Sequence, residues 1–254
     1  MKVAAVVSTK GGPGKTTVGA NLGAFCADAG VRTLLIDLDN QPSLSSFYNL
    51  SHEAPGGTYQ LITSNETRPD QIISQTCIPN LSLIKSNDPF NLLSNLLLHA
   101  ADGRLRLKNL MPAFAQDFDL ILIDTQGARS IVLEMALLGS QVAISPITPD
   151  MLTAREFQRG MLQLYRDLEP LAALGAVTPM LNIVINKLDA TNDANLIYHT
   201  LTETFSDHPK IQMVETTIPA AVSFRRAATE GIHAHGLEYR LPTQRHSPTA
   251  FKVI

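Results

Sequence analysis

The decamer Ser8-Thr9-Lys10-Gly11-Gly12-Pro13-Gly14-Lys15-Thr16-Thr17 decides the fold. It follows an apolar run, Val3 to Val7, and precedes a segment of helical periodicity, Thr16 to Ala29 (Val18, Leu22, Phe25, Cys26, Ala29), that stops at Gly30. A short apolar run rich in β-branched residues reads as a buried strand. A glycine just past a periodic segment reads as a helix C-terminus. Thr33 to Leu38 supplies the next strand, which completes a βαβ unit. Between strand and helix, Gly11, Gly12 and Gly14 allow the backbone to turn its N–H groups inward around phosphate oxygens. The helix starting near Lys15 aims its positive end at the same anion. Gly14, Lys15 and Thr16 complete the pattern G-x-x-x-x-G-K-[ST], in which the lysine reaches the β- and γ-phosphates and the hydroxyl coordinates Mg²⁺. The glycine that should open this pattern is replaced by Thr9, and a second lysine, Lys10, opens the glycine run.

Working outward, "LILID" (120–124), "VAISP" (142–146) and "MLNIVIN" (180–186) are further uninterrupted apolar strands. Strands apolar on both faces belong in a parallel sheet covered by helices. The segments between them, about 88–100, 104–115, 128–139, 150–168 and 192–205, are helical in pattern. This alternation predicts an α/β fold, a doubly wound, mostly parallel sheet flanked by helices. Residues 51–80, with Pro55, Gly56, Gly57, Asn65, Pro69 and Pro79, read as loops with short helices.

The chain of 254 residues, 44% hydrophobic and 17% charged, fits one domain over 1–254. The tail from about 240, "LPTQRHSPTAFKVI" at its end, lacks an amphipathic stripe and is expected to be loose. A net charge of −3 excludes a globally basic surface, so any nucleic-acid contact needs a local patch. Cys26 and Cys77 give neither metal spacing nor a disulfide framework, and Cys26 reads as a small core residue. The N-terminal apolar run is too short for a signal peptide or a membrane span, so a soluble, cytoplasmic protein is expected. His233-x-His235 has no carboxylate or cysteine at close spacing, and no metal site is read there.

The stretch "KGGPGKTT" resembles the deviant Walker A motif, K-G-G-x-G-K-[ST]-[ST], of the ParA/MinD family of P-loop ATPases. The likeness runs from Val3 to about Gly236. It implies a P-loop NTPase fold in which Lys10, Gly11, Gly12, Pro13, Gly14, Lys15, Thr16 and Thr17 hold ATP with Mg²⁺. In the family the extra lysine, here Lys10, crosses a dimer interface to the phosphates of the partner subunit, and two ATP molecules are sandwiched between two chains. A cation supplied in trans neutralises γ-phosphate charge only in the dimer, so dimerisation depends on ATP rather than ADP. Lys10, Lys15 and Asp39 are the implied catalytic residues, and Thr16, Asp39 and Asp124 the implied metal-site residues.

The remaining motifs follow the same resemblance. "LLIDLDNQPSLS" places Asp37 and Asp39 at the carboxyl end of a strand, where open α/β sheets bind ligands. It is similar to the family segment D-x-D-P-Q-x-x-x-S, whose second aspartate, here Asp39, orients the attacking water. Asn40-Gln41-Pro42 stands where the family usually has Pro-Gln-Gly. "FDLILIDTQGARS" ends a strand in Asp124, the Walker B pattern for a carboxylate that binds Mg²⁺ directly or through water. The family commonly continues D-x-P-P, and Gly127 is expected to supply the tight turn instead. Asn186 matches the family asparagine that hydrogen-bonds adenine, and Pro219, in "ETTIPAAVSFRRAATEGI", is expected near the base.

A ParA-type partition ATPase follows from this resemblance. It implies non-specific DNA binding in the ATP-bound homodimer, slow hydrolysis, a ParB-like partner that stimulates turnover, nucleoid association and no membrane contact. Because the chain begins at the first strand, no N-terminal helix-turn-helix domain is expected. From Ala220 onward Arg225, Arg226, Arg240, Arg245 and Lys252 face Glu230 and Glu238, which makes Arg225 and Arg226 the candidate DNA contacts. Three other readings compete. A MinD-like membrane ATPase should end in a basic amphipathic helix, where this chain has Pro242 and Pro248. A relative that positions cargo other than DNA, such as a flagellar, secretion or conjugation component, stays open. A GTPase could use Asn186-Lys187-Leu188-Asp189, but its phosphate loop should not carry Lys10.

Overall fold

The computed structural model describes residues 1–189, 192–205 and 208–240; the expected loose tail, with Arg245 and Lys252, lies outside them. In chain order the elements are β1 (Lys2–Val6), α1 (Lys15–Asp28), β2 (Thr33–Asp37), β3 (Leu50–His52), α2 (Thr58–Thr63), α3 (Pro69–Ile72), β4 (Ser74–Thr76), β5 (Leu81–Ile84), α4 (Leu92–His99), α5 (Arg106–Leu110), β6 (Leu120–Asp124), α6 (Ile131–Leu138), β7 (Val142–Ile147), α7 (Met151–Leu168), β8 (Met180–Leu188), α8 (Asn192–Phe205), β9 (Ile211–Met213), β10 (Ile218–Pro219), α9 (Val222–Glu230) and α10 (Ala234–Arg240).

Among the described residues the strands form one mixed sheet in the order β10-β8-β7-β1-β6-β2-β5-β4-β3, with β9 also beside β8. The pairs β1·β6, β1·β7, β2·β6, β2·β5 and β7·β8 are parallel. Among the described residues only the pairs β3·β4 and β4·β5, at the far edge, are antiparallel. The doubly wound, mostly parallel sheet expected from the alternating pattern is thus present. The stretch read as loops with short helices, 51–80, also contributes the short strands β3 and β4, and β5 follows it. Three- and four-residue strands are too short to display periodicity.

Alternation along the strands builds two cores. Leu34, Ile36, Ile121 and Ile123 point to one face, where they pack with α4, α6 and α7. Leu35, Leu122, Ala4 and Ile144 point to the other and meet Ala20, Ala24 and Ala27 of α1. α6 is buried along all eight residues and starts at Ser130, whose hydroxyl accepts from Leu133 N–H. α7 buries Ala154, Phe157, Met161, Leu164, Tyr165 and Leu168, a helical stripe, and begins at Asp150, whose carboxylate accepts from Thr153 N–H. No described helix is long and apolar enough to cross a membrane.

The sequence "LLSNLLLH" of α4 does not by itself say which leucines are inside. Leu97 is 1% exposed and Leu98 60% exposed. Leu97→Ala should therefore cost about 2–5 kcal/mol of unfolding free energy, and Leu98→Ala within about 0.5 kcal/mol of nothing. Urea titration of both variants checks this; equal losses would contradict the packing of α4.

Candidate functional site

Register brings the site together. Val6 lies beside Asp124, and Asp124 beside Asp37, at the carboxyl ends of three adjacent parallel strands. The phosphate loop leaves β1 at this edge. Gly12 and Gly14 both have φ +92°, a conformation that favours glycine, and Gly14 begins α1 without a side-chain cap. The first turn of the helix presents Lys15 and Thr16 to the strand ends. Thr16 Oγ1 donates to Asp124 Oδ2 at 2.6 Å. Lys15 is buried, and its ammonium feels Asp124 and Asp39.

The two acids of the second strand divide their work. The Asp37 carboxylate accepts from Ser45 N–H and Ser45 Oγ, both at 2.7 Å, and from Asp39 N–H at 3.1 Å. It is a fully buried brace for the loop that carries Asp39. Asp39 is half-buried, accepts from Gln41 N–H at 3.0 Å, and is held through its carbonyl by Ser86 Oγ at 2.6 Å. Its charge is felt at both Lys15 and Asp124.

The substitutions that set this loop apart have steric partners. Thr9, in place of the expected glycine, packs its side chain against Gly160 of α7, where a Cβ would collide with Thr9 Oγ1. Gly127 sits at a bend of the chain after β6 and also leaves room for the phosphate loop: a Cβ there would lie 2.7 Å from Gly11 Cα and 2.9 Å from Gly11 N. Lys10 pairs with Glu156 of α7, its Nζ 2.5 Å from the carboxylate, and the side chains of Lys10 and Glu156 are both substantially exposed.

Asn186, at the end of β8, is buried and donates from Nδ2 to the Pro13 carbonyl at 2.7 Å. Its Oδ1 accepts from Lys187 N–H at 3.0 Å, and Lys187 Nζ donates to the Gly12 carbonyl at 3.1 Å. Lys187 adopts φ +59° to do so. This tie between β8 and the phosphate loop had no signal in the sequence beyond the strand-end position of Asn186. Beside it opens a cavity of about 620 Å³ lined by Thr17, Asn21, Val184, Asn186, Ile218 and Phe224, among others. Ile218 lines it, whereas the neighbouring Pro219 is exposed. Arg225 and Arg226 lie apart from the loop cluster, on the exposed face of α9, and Arg226 is 3.6 Å from Glu230.

The donor set fits Mg²⁺ and a polyphosphate. Thr16 and Asp124 offer two hard oxygens in contact, which suits Mg²⁺, and the buried Lys15 ammonium feels the charge of Asp124 beside them. Burial raises the Asp124 carboxyl to about 7; the Thr16 bond opposes this, Asp37 reinforces it, and Lys15 opposes it. Burial likewise raises Asp37 to about 6 against its bonds from Ser45 and Asp39. Burial lowers the Lys15 ammonium, with Asp124 and Asp39 pulling it back. Removing the last proton from this acid pair without a cation is thus unfavourable.

The sign of the consequence follows. Carboxyls with raised folded values bind protons more tightly folded than unfolded, so their contribution is full below the unfolded value of about 4. It is lost as pH rises through about 6 for Asp37 and about 7 for Asp124. Without Mg²⁺ and nucleotide, Asp124→Asn should therefore gain stability relative to the unaltered chain as pH rises from about 4 to about 7. The gain should approach roughly 1.4 kcal/mol for each pH unit crossed. Thermal melts of both proteins across that range measure the difference, and a pH-independent difference would contradict the buried acid pair.

Comparison with known proteins bears on the family and the fold. A family model described as an AAA domain matches residues 1–173. An uncharacterized protein of Methanocaldococcus jannaschii is 26% identical over 236 residues, 91% of this chain and 89% of that protein. The chromosome-partitioning ATPase Soj of Treponema pallidum is 31% identical over 146 residues, 58% of this chain, and the match spans 56% of Soj. In fold, apo McdA of Cyanothece superposes with a TM-score of 0.80 at 24% identity, over 94% of each chain. With the family model covering most of the chain and the deviant phosphate loop folded against Asp124 and Asp39, the chain belongs to the AAA-domain P-loop ATPases of the ParA/MinD type.

Proposed function

We propose that this protein is a ParA-type partition ATPase that binds ATP·Mg²⁺, forms a sandwich dimer, binds DNA without sequence preference and hydrolyses ATP slowly until a ParB-like partner stimulates it. Nucleotide hydrolysis and positioning or partition are the business of its family; the DNA track, the dimer and the partner are the proposal. One observation carries it: the two lysines of the loop are separated. Lys15 is buried among the site acids, while Lys10 reaches outward to the exposed Glu156. A lysine on the rim is available to a second subunit, and one in the pocket is not.

In this reading Lys15 and the loop N–H groups hold the phosphates in cis, and Lys10 leaves Glu156 to reach the nucleotide of the partner subunit. Thr16 and Asp124 would hold Mg²⁺, which when bound supplies charge neutralisation at the phosphates. Asp39, on its braced loop, orients water. The cavity beside Asn186 and Thr17 has the size of a small-molecule pocket and would take the base. α9 supplies Arg225 and Arg226 to DNA phosphates. Dimerisation doubles that patch on one body, coupling DNA affinity to nucleotide state. The protein would act in the cytoplasm, on the nucleoid.

The lysines make the first test. Lys15→Ala should abolish nucleotide binding. Lys10→Ala should keep ADP affinity and lose the ATP-dependent dimer in sedimentation, and Asp39→Ala should dimerise yet hydrolyse roughly 10²-fold more slowly. A Lys10→Ala protein that still dimerises with ATP would sink the trans-lysine reading. GTP displacing ATP in competition would transfer the site to the guanine reading of Asn186-Lys187-Leu188-Asp189.

The arginines make the second. Each phosphate neutralised contributes about −0.9 to the slope of log affinity against log salt. ATP-dependent DNA binding should weaken steeply with salt, and Arg225→Ala with Arg226→Ala should flatten the slope without changing dimerisation. An unchanged slope would put the DNA surface elsewhere. No binding by the ATP-bound protein at low salt would favour a cargo track other than DNA.

A further inference from the structure

Away from the nucleotide site, the fold brings together three side chains from opposite ends of the chain. Asp28 is the last residue of α1. His233 precedes α10 and His235 lies in its first turn. The Nε2 atoms of both histidines point at one oxygen, Asp28 Oδ2, at 3.1 Å from His233 and 2.7 Å from His235. The two imidazoles are stacked, with centroids 3.9 Å apart and planes tilted by 31°. One donor atom from each of the three residues falls within 4.8 Å of the other two. The sequence offered only the His-x-His pair; the missing carboxylate comes from a distant helix.

We propose that Asp28, His233 and His235 form a binding site for a zinc-class divalent cation that fastens α9 and α10 to the end of α1. The spacing is that of a slightly contracted metal site: tetrahedral zinc with bonds of about 2.0–2.2 Å holds neighbouring donor atoms about 3.3–3.5 Å apart. The carboxylate and the imidazoles need only separate slightly, from 3.1 and 2.7 Å, to reach that spacing. Two imidazole nitrogens and a carboxylate oxygen suit zinc and leave a fourth position for solvent. The entrance lies on the Asp28 side, whose side chain is 40% exposed against 15% and 16% for the histidines.

The surroundings are built for this approach. His233 folds back over Gly236, where a Cβ would lie 2.5 Å from His233 Nε2, so a larger residue would push the ring out of the cluster. Ala234 N–H, between the two histidines, donates to the buried Asn21 Oδ1 at 2.7 Å, which fixes the His-x-His segment against α1. His235 also meets Phe25 edge-on at 5.5 Å. Asp28 itself stands at the negative end of α1, which has no basic residue in its last turn. A carboxylate there is disfavoured by the helix dipole, and a bound cation reverses that. α9 and α10 carry a small apolar cluster of their own, Ala227, Ala234 and Leu237 with Phe224 and Ile232, so their position on the body depends on ties such as this one. The inference is independent of the nucleotide reading, since none of its residues belongs to the phosphate loop.

The test uses the untagged full-length protein, stripped with chelator and kept free of Mg²⁺ and nucleotide. Calorimetric titration with Zn²⁺ should give one site per chain. Co²⁺ should give the visible absorption of a tetrahedral nitrogen–oxygen site, and Zn²⁺ should raise the melting temperature. His233→Ala with His235→Ala should abolish all three. Changes even outside the ligand set commonly cost about 10–100-fold in metal affinity, so Asp28→Asn, which keeps the shape and a hydrogen-bonding oxygen, should weaken Zn²⁺ by at least tenfold. ADP binding by each variant reports whether it is folded. Failure of the unaltered protein to bind Zn²⁺ at micromolar concentration would reduce the cluster to a hydrogen-bonded clamp. Zn²⁺ binding that survives in the double histidine variant would place the metal elsewhere. Either result overturns the proposal.

Discussion

The contact between the Thr16 hydroxyl and the Asp124 carboxylate is the point on which the rest of the site turns. It joins the first turn of α1 to the end of β6 and exists because β1, β6 and β2 are parallel and in register at their carboxyl ends. Sliding β6 by one residue would flip Asp124 to the other face and leave the phosphate loop without its acid. β6 is buried along every residue after Leu120, and such a slip would also carry the Asp124 carboxylate away from its Thr16 partner into apolar packing, where an unpaired charge is costly. Packing and site geometry are enforced by the same strands.

Burial then determines the electrostatics. Asp124, Asp37 and Lys15 are all taken out of water at the sheet edge, and an uncompensated charge there is costly. Asp37 is satisfied locally, by the Ser45 backbone and hydroxyl and the Asp39 backbone, and so becomes a brace. Asp124 has one hydroxyl and a backbone N–H beside it and retains the capacity to take a cation. The two acids differ in role through their hydrogen-bond partners rather than through their side-chain chemistry.

The departures from the family pattern are accommodated by complementary small residues. Thr9 is tolerated because α7 offers Gly160 beneath it, and Gly127 lets the Walker B loop approach Gly11. Asn186 and Lys187 close the other side by bonding the Pro13 and Gly12 carbonyls. The phosphate loop is thus held from three directions, by β6, α7 and β8. This explains how a loop with one glycine fewer keeps its shape. The Gly12 and Pro13 carbonyls are committed to these contacts.

By itself the sequence determined the βαβ unit, the parallel character of the sheet and the roles open to Lys15, Thr16, Asp39 and Asp124. These depend on local rules: glycine spacing, the period of apolar residues, and an acid at a strand end. Short strands such as β3 and β4 escaped it, because three residues cannot show a period. It could not say that Leu97 rather than Leu98 is inside, that Asp37 is a brace, that Gly127 also makes room for Gly11, or that Lys10 rests on Glu156. It also could not bring Asp28 to His233 and His235. Each of these is a contact between residues far apart in the chain, and no local pattern encodes the distance between two elements. Only the packing of helices on the sheet, where steric fit and burial decide which faces meet, settled them.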